Sequence, residues 1–378
     1  MKLKISIIVP IYNTAQYLDK CLTSILNQTM QEIEIICVDD CSSDDSHLIV
    51  EKYAKQDSRV SLIRHEINKG SGGARNTGIL AAKARFLASV DSDDYILPEM
   101  MQALWDASEA GIYDVVCCGY DSVNKEGAKV ASHALHPKKF HNMHTIDIFS
   151  VVNPAFWNKL WRKSLFIDND IFFPEKLYYQ DLATIPRILS KVKKMKVIKG
   201  NYYNYLVREN ATTTTFSKKH ISDYFDVFDI LLQFLKNNQL LDRYEYVFVN
   251  TIDANVYYHV KNFIKSDLGL EQQNIYLAEL YLAKNLYLKS NFNLSRTSFD
   301  LANSNAKAMD NQNRLLKLFM PINQLSFQQK MAVKVSGLIL KVFLSPNQQI
   351  KLRENPIGFF GGSKSIVTRS IGSFFKII

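Results

Sequence analysis

Three apolar runs in the first hundred residues stop abruptly at polar clusters. Residues 5–10 lead into Tyr12-Asn13, residues 33–38 end in Asp39-Asp40, and residues 86–90 end in Asp91-Ser92-Asp93-Asp94. Carboxylates gathered in one place repel one another unless a cation joins them. Magnesium and manganese prefer oxygen ligands, are often held by one or two carboxylates, and complete their shell with water and phosphate oxygens. Asp91 and Asp93 have a spacing that suits this work, one on the metal and the other on a ligand hydroxyl or a metal-bound water. Alone, an acid-x-acid unit also ends strands and caps helices; Asp39-Asp40 at a neighbouring strand end shifts the balance towards chemistry. Gly72-Gly73-Ala74-Arg75-Asn76 adds small residues that admit a phosphate and an arginine that neutralises it. The plainer reading of that stretch is a helix start with a surface arginine. Together the clusters point to a divalent cation and a phosphorylated ligand.

These groups need a scaffold that delivers them to one edge. Short apolar runs ending in acids read as buried parallel strands, and in open α/β sheets ligands bind at the carboxyl ends of strands. Between the runs, Tyr17, Leu18, Cys21, Leu22, Ile25 and Leu26 share one helical face, Asp44 is placed to cap a second helix, and residues 70–73 open a third. Pro98 is expected to start a helix, and residues 60–64, 114–119 and 196–205 read as further strands. A helix is expected near Asp181, and Trp157 and Trp161 recur at helical spacing. Beyond residue 215 the chain becomes helical and aromatic-rich. The expected architecture is therefore α/β, a mainly parallel sheet with helices on both faces over residues 1–215, followed by a helical C-terminal region over residues 216–378. No GxGxxG follows the first strand and no GxxxxGK[ST] is present, which argues against dinucleotide-binding and P-loop readings.

The chain has 378 residues, 47% of them hydrophobic and 22% charged, an ordinary globular composition. Its five cysteines form no CxxC pair and mostly sit in or beside apolar runs, which reads as reduced thiols of a cytoplasmic protein. No run of about 18 apolar residues exists, so no membrane-spanning helix is expected. The net charge of +9 is concentrated in residues 321–378, where Lys330, Lys334, Lys341, Lys351, Arg353, Lys364, Arg369 and Lys376 face only Glu354. Lys330, Lys334 and Lys341 fall on one helical stripe, with Met331, Val335, Leu338, Ile339 and Val342 on another. That pattern suits peripheral attachment to an anionic inner-membrane surface, rather than nucleic acid. A helix packed on the rest of the protein is the alternative.

The blocks Ile7-Ile8-Val9-Pro10-Ile11-Tyr12-Asn13, Cys37-Val38-Asp39-Asp40-Cys41-Ser42-Ser43-Asp44, Ala74-Arg75-Asn76-Thr77-Gly78 and Asp91-Ser92-Asp93-Asp94 resemble the family 2 glycosyltransferases. The likeness continues through Trp157-Asn158-Lys159-Leu160, Phe173-Pro174-Glu175 and Tyr178-Tyr179-Gln180-Asp181-Leu182, to about residue 215. It implies the GT-A fold, a nucleotide-sugar donor, and Mn2+ or Mg2+ as cofactor. It further implies that Asp40 binds the donor's base, commonly uracil, in a pocket shaped by Pro10 and Tyr12. Arg75 would face the base and diphosphate, Asp91 the ribose or sugar, and Asp93 the metal. Asp181 matches the catalytic base, normally the second acid of a Glu-Asp pair. Here Gln180 replaces the first, and loss of a like charge is expected to lower the pKa of Asp181. The implied activity is an inverting, single-sugar transfer of a hexose or N-acetylhexosamine from a UDP-sugar to a glycan or lipid-linked glycan acceptor, in bacterial surface polysaccharide synthesis. A silent nucleotide- or glycan-binding subunit is the alternative that Gln180 leaves open.

Some residues stay ambiguous. Trp157 reads equally as a core ring and as a platform for an acceptor sugar, while Trp161 reads as core. Arg208, with Tyr203, Tyr205 and Thr212–Thr215, suits a loop over the acceptor or donor. His133, His136, His141 and His144 lack the spacing and partner ligands of a zinc site.

Overall fold

A computed structural model describes residues 2–137, 153–208 and 218–245, with 248, 249, 251, 252, 280, 284 and 287. The basic stretch of residues 330–376, Thr212–Thr215, His141 and His144 lie outside them.

The first apolar run becomes β1 (Ile5–Ile11), every residue of which is buried. Alternation explains why it is apolar throughout: Ile5, Ile7, Val9 and Ile11 enter one core, and Ile8 enters another on the opposite face. Each such side chain contributes roughly 1.5–3 kcal/mol by leaving water. The next six elements follow the expected rhythm: α1 (Ala15–Leu26), β2 (Ile33–Asp39), α2 (Ser46–Gln56), β3 (Val60–Arg64), α3 (Gly70–Ala81) and β4 (Phe86–Ser89). These strands lie parallel in the order β3-β2-β1-β4. Their carboxyl ends share one edge, which brings Tyr12, Asp39-Asp40 and Asp91–Asp94 into a single neighbourhood.

The second half of the sheet is mixed. β5 (Tyr95–Ile96) and α4 (Met100–Ala107) precede β6 (Val115–Val123), β7 (Lys129–His133), β8 (Lys159–Arg162), α5 (Ser164–Ile167), α6 (Gln180–Leu189) and β9 (Met195–Leu206). β8 inserts antiparallel between β4 and β6, while β9 runs parallel to β6. Helices cover both faces: α1, α2 and α4 supply one core, and α3, α5 and α6 the other. Two sequence expectations need correction here. The four-residue spacing of Trp157 and Trp161 does not mark a helix; Trp161 lies on β8. α4 begins at Met100 with Glu99 as its N-cap, so Pro98 precedes the helix rather than starting it.

Local chemistry fixes the helices that carry site residues. Asp44 accepts from the Ala15 N–H at 3.0 Å and the Ser46 N–H at 3.1 Å, so one carboxylate serves the first turns of α1 and α2 together. α3 lies close on β1 because Gly78 has no side chain; a Cβ there would meet Ile8 Cγ2 at 2.5 Å.

The chain forms two compact units. Met1–Thr215 with Asp226–Phe248 contains the sheet and the residues of the candidate site. In the second unit, Phe216–Phe225 with Val249–Ile378, Tyr224 is buried and donates its hydroxyl to the Ile252 carbonyl at 3.2 Å. Aromatic and leucine residues at helical spacing form α7 (Lys218–Asn237), burying Tyr224, Phe228, Leu231, Leu232 and Leu235.

Candidate active site

The turn after β4 sorts its acids. Asp94 turns inward, where it accepts from the Tyr203 hydroxyl at 2.7 Å and the Leu206 N–H at 2.7 Å. Burial pushes its carboxyl well above the usual range, and the charges of Asp93 and Asp91 push it further. Ser92 is also buried, accepting from the Thr14 hydroxyl at 2.9 Å. Asp91 and Asp93 remain partly exposed. The Asp91 N–H donates to the Tyr203 hydroxyl at 3.1 Å, so β9 anchors both ends of the acidic turn.

Arg75 reaches this turn from the first half of α3. Its Nη2 donates to Asp91 Oδ1 at 2.8 Å and its Nη1 to Asp181 Oδ1 at 3.2 Å. Burial opposes the guanidinium charge, but Asp91 and Asp181 outweigh it and hold Arg75 above its ordinary value. Its Nε is buried without a partner, and Phe173 lies beneath the guanidinium with the ring centroid 5.6 Å away. Asp181 sits in the first turn of α6, where the exposed N–H groups favour an acid. Burial raises its carboxyl; Arg75 and Lys159 pull the other way, and Asp91 adds to the rise. Burial is the largest cause, so the carboxyl lies above the ordinary aspartate value even with the uncharged Gln180 beside it. Gln180 itself is buried and donates its side-chain amide to the Ser71 hydroxyl, fastening α6 to α3.

Asp40 is buried at the end of β2. Its Oδ1 accepts from the Lys69 N–H at 2.8 Å and lies 2.6 Å from His65 Nδ1. His65 Nε2 is 2.8 Å from the Thr77 hydroxyl, so the imidazole ties Asp40 to α3. Asp40 Oδ2 is buried and has no hydrogen-bond partner. Nearby, Pro10 is buried in β1 whereas Tyr12 is 53% exposed. Asp39, equally buried, accepts from Arg64 Nε at 3.2 Å and from the Ser42 N–H at 3.3 Å.

Trp157 is 6% exposed and stacks on Tyr203 at 4.3 Å between centroids, with Tyr120 edge-on at 4.8 Å. Trp161 is fully buried, its indole N–H given to the Phe156 carbonyl at 3.0 Å. Lys159 is fully buried, and its ammonium donates to the Asn153 and Ala155 carbonyls and to Asn158 Oδ1 at 2.8, 2.7 and 2.7 Å. Burial pushes its pKa down. The roles of Tyr203, His65 and Lys159 escaped sequence reasoning. Lys159 lies inside the motif block, and Tyr203 among the loop candidates, but nothing local distinguishes a residue that binds the acidic turn from one that lines a strand.

Asp93 lines a cavity of about 260 Å³ together with Tyr17, Lys20, Tyr95, Lys125 and Leu206. Arg208 Nε donates to Asp93 Oδ2 at 2.6 Å. Burial raises the Asp93 carboxyl, Arg208 lowers it, and Asp91 raises it again. Among the described residues no three acidic, histidine or cysteine side chains form a closed metal cage. An open pair of partly exposed carboxylates fits a magnesium or manganese ion whose remaining ligands are water and phosphate oxygens. His133 stacks on Tyr120 at 4.2 Å between centroids and belongs to no cluster of three ligating side chains among the described residues. No helix of the described residues is long and apolar enough to cross a membrane.

Comparison with known proteins gives a consistent pattern. The sequence profile described as Glycosyl transferase family 2 matches residues 6–175. Glycosyltransferase GlyG of Streptococcus pneumoniae is 33% identical over 238 residues, spanning 59% of this chain and 78% of that protein. The poly(ribitol-phosphate) beta-glucosyltransferase of Bacillus spizizenii is 30% identical over 246 residues, 63% of this chain but only 38% of that longer protein. Among solved structures, Staphylococcus aureus TarS residues 1–349 in complex with UDP-GlcNAc superimposes with a TM-score of 0.52 at 23% identity, covering 81% of this chain and 78% of that one. The last likeness concerns the fold, and it is the GT-A arrangement expected from the motif blocks.

Proposed function

The chain belongs to glycosyl transferase family 2, and from that premise we propose that it moves one hexose or N-acetylhexosamine from a UDP-sugar to a glycan or lipid-linked glycan in bacterial surface polysaccharide synthesis. The observation that carries this reading is the guanidinium of Arg75 set between Asp91 and Asp181. That pairing keeps Asp181 close to Asp91, which supports reading Asp181 as the base beside a donor held on the Asp91 side. The relatives named above, which include a transferase acting on poly(ribitol-phosphate) and a structure holding UDP-GlcNAc, support the substrate classes.

In this mechanism Asp181 accepts the proton of an acceptor hydroxyl. The oxygen forms a bond to the anomeric carbon as the bond from that carbon to the diphosphate oxygen breaks on the opposite face. UDP leaves with the electron pair, and the configuration inverts. Arg75 holds Asp181 and Asp91 in fixed positions, so little reorganisation remains at the moment of reaction. Asp40 Oδ2, a buried acceptor without a partner, suits an N–H donor of the base such as that of uracil. Asp93, with Asp91 beside it, would hold Mg2+ or Mn2+, which when bound offsets charge on the leaving diphosphate.

The test is hydrolysis of a panel of UDP-sugars with manganese, magnesium or EDTA, followed by product stereochemistry. Metal-dependent release of UDP from one donor, lost in Asp93→Ala, supports the reading. Absence of any UDP binding, or a product that keeps the donor's anomeric configuration, refutes it.

A further inference from the structure

Arg208 is held to a short range of positions. The Leu206 N–H is bound by Asp94 at 2.7 Å and the Val207 N–H donates to the Val123 carbonyl at 2.8 Å, so the backbone is fixed up to the residue before it. From there the side chain crosses Tyr17, with the ring centroid 5.6 Å from the guanidinium, and places Nε 2.6 Å from Asp93 Oδ2. A magnesium or manganese ion on the same oxygen would sit about 2.1 Å from it, leaving the two positive centres within about 5 Å of each other. At that separation their repulsion is large wherever the site is partly shielded from water.

Resting on the reading of Asp93 as a cation ligand, we propose that Arg208 and the divalent cation are alternative partners of Asp93, so that Arg208 opposes cation binding until a diphosphate gives the displaced guanidinium another anion. Two features favour exchange over permanent pairing. The Arg208 and Asp93 side chains are 29% and 19% exposed, so the pair is not locked in the core. The neighbouring cavity also presents Lys20 and Lys125, which favours an anionic group beside the displaced guanidinium. The arrangement makes cation and nucleotide mutually dependent: each binds better once the other is present. Arg208 is thus a positioning residue that couples cation binding to nucleotide binding.

The experiment measures Mn2+ binding to the full chain from the electron paramagnetic resonance signal of free Mn2+, with and without UDP, alongside the thermal unfolding midpoint of each variant. In the parent, UDP should tighten Mn2+ binding by about tenfold or more. Arg208→Gln should tighten Mn2+ binding alone by about tenfold and shrink the further gain from UDP. Arg208→Lys, which keeps the charge without the directed N–H, should show a smaller gain and keeps the test open if the glutamine variant does not fold. Lys125→Gln removes a positive charge from the same cavity and should shift Mn2+ affinity by less than about twofold. Unchanged or weaker Mn2+ binding in Arg208→Gln overturns the inference, as does an equal gain in Lys125→Gln, which would mean a general field rather than competition for one oxygen. Asp93→Asn should abolish Mn2+ binding; if it does not, the cation reading of Asp93 fails and takes the inference with it. Failure at Arg208 alone leaves that reading standing.

Discussion

Asp91 and Asp181 share one guanidinium: Arg75 donates Nη2 to the first at 2.8 Å and Nη1 to the second at 3.2 Å. The two acids come from different elements, the turn after β4 and the first turn of α6, and the planar fork sets their separation. Lysine would keep the charge and reach only one carboxylate at a time. Arg75→Lys should therefore reduce kcat by about 100-fold or more while changing UDP affinity much less. Steady-state kinetics beside calorimetric UDP titration make the comparison; a kcat close to the parent's would remove the pairing from the mechanism.

Asp181 makes a sharper prediction because burial raises its carboxyl above the usual range. A base works only when deprotonated, so activity should be lost as pH falls through that raised value. The acid limb of the kcat–pH profile should lie above about 4, the ordinary region for an aspartate. Asp181→Asn should lower transfer by about 100-fold to 10,000-fold while UDP still binds. A limb at the ordinary value would show that another group is titrating.

The thiols give a test of the fold independent of chemistry. Cys21, Cys37, Cys117 and Cys118 are buried, and only Cys41 is exposed. Burial pushes Cys37 up to about 12 and raises the other three buried thiols as well, so the reactive thiolate form is suppressed. Brief iodoacetamide treatment of the native protein, read by peptide mass spectrometry, should modify Cys41 and spare the others until denaturant is added. Fast native labelling at Cys37 would contradict the placement of β2.

Gly72 predicts where added volume is least welcome. A Cβ there would collide with the Pro174 carbonyl oxygen and with Gln180 Oε1. Gly72→Ala should cost about 1–3 kcal/mol of stability, measured by urea unfolding. Shortening Gln180 to alanine in the same chain should recover only part, since the Pro174 carbonyl remains. Complete recovery would mean that the side chain alone sets the constraint.

Much of the parallel half could be read from residue order. β1, β2 and β4 follow apolar runs that stop abruptly at polar or acidic clusters, and Asp91, Arg75 and Asp181 stood out through motif blocks. β8 did not: Lys159–Arg162 is short, and its place between β4 and β6 depends on partners far away in sequence. The same holds for Tyr203, whose hydroxyl binds the acidic turn across more than a hundred residues. His65 was invisible for a similar reason, since its value lies in linking Asp40 with Thr77. For Asp181, residue order shows the like charge that Gln180 removes, but not the burial that raises the carboxyl, which comes from packing far along the chain.

The insertion of β8 has a consequence for synthesis on the ribosome. β4 pairs with β8 through Phe86↔Arg162 and Leu87↔Trp161, so its open side waits for a segment made about 70 residues later. At ordinary elongation rates that wait lasts about 4–15 seconds, long enough for a bare strand edge to attract a chaperone or another nascent chain. Ribosome-stalled chains ending near residue 140 should accordingly be cut by protease within the first four strands, and chains extending past residue 210 should resist. Equal resistance at both lengths would mean that the parallel half closes without its antiparallel neighbour.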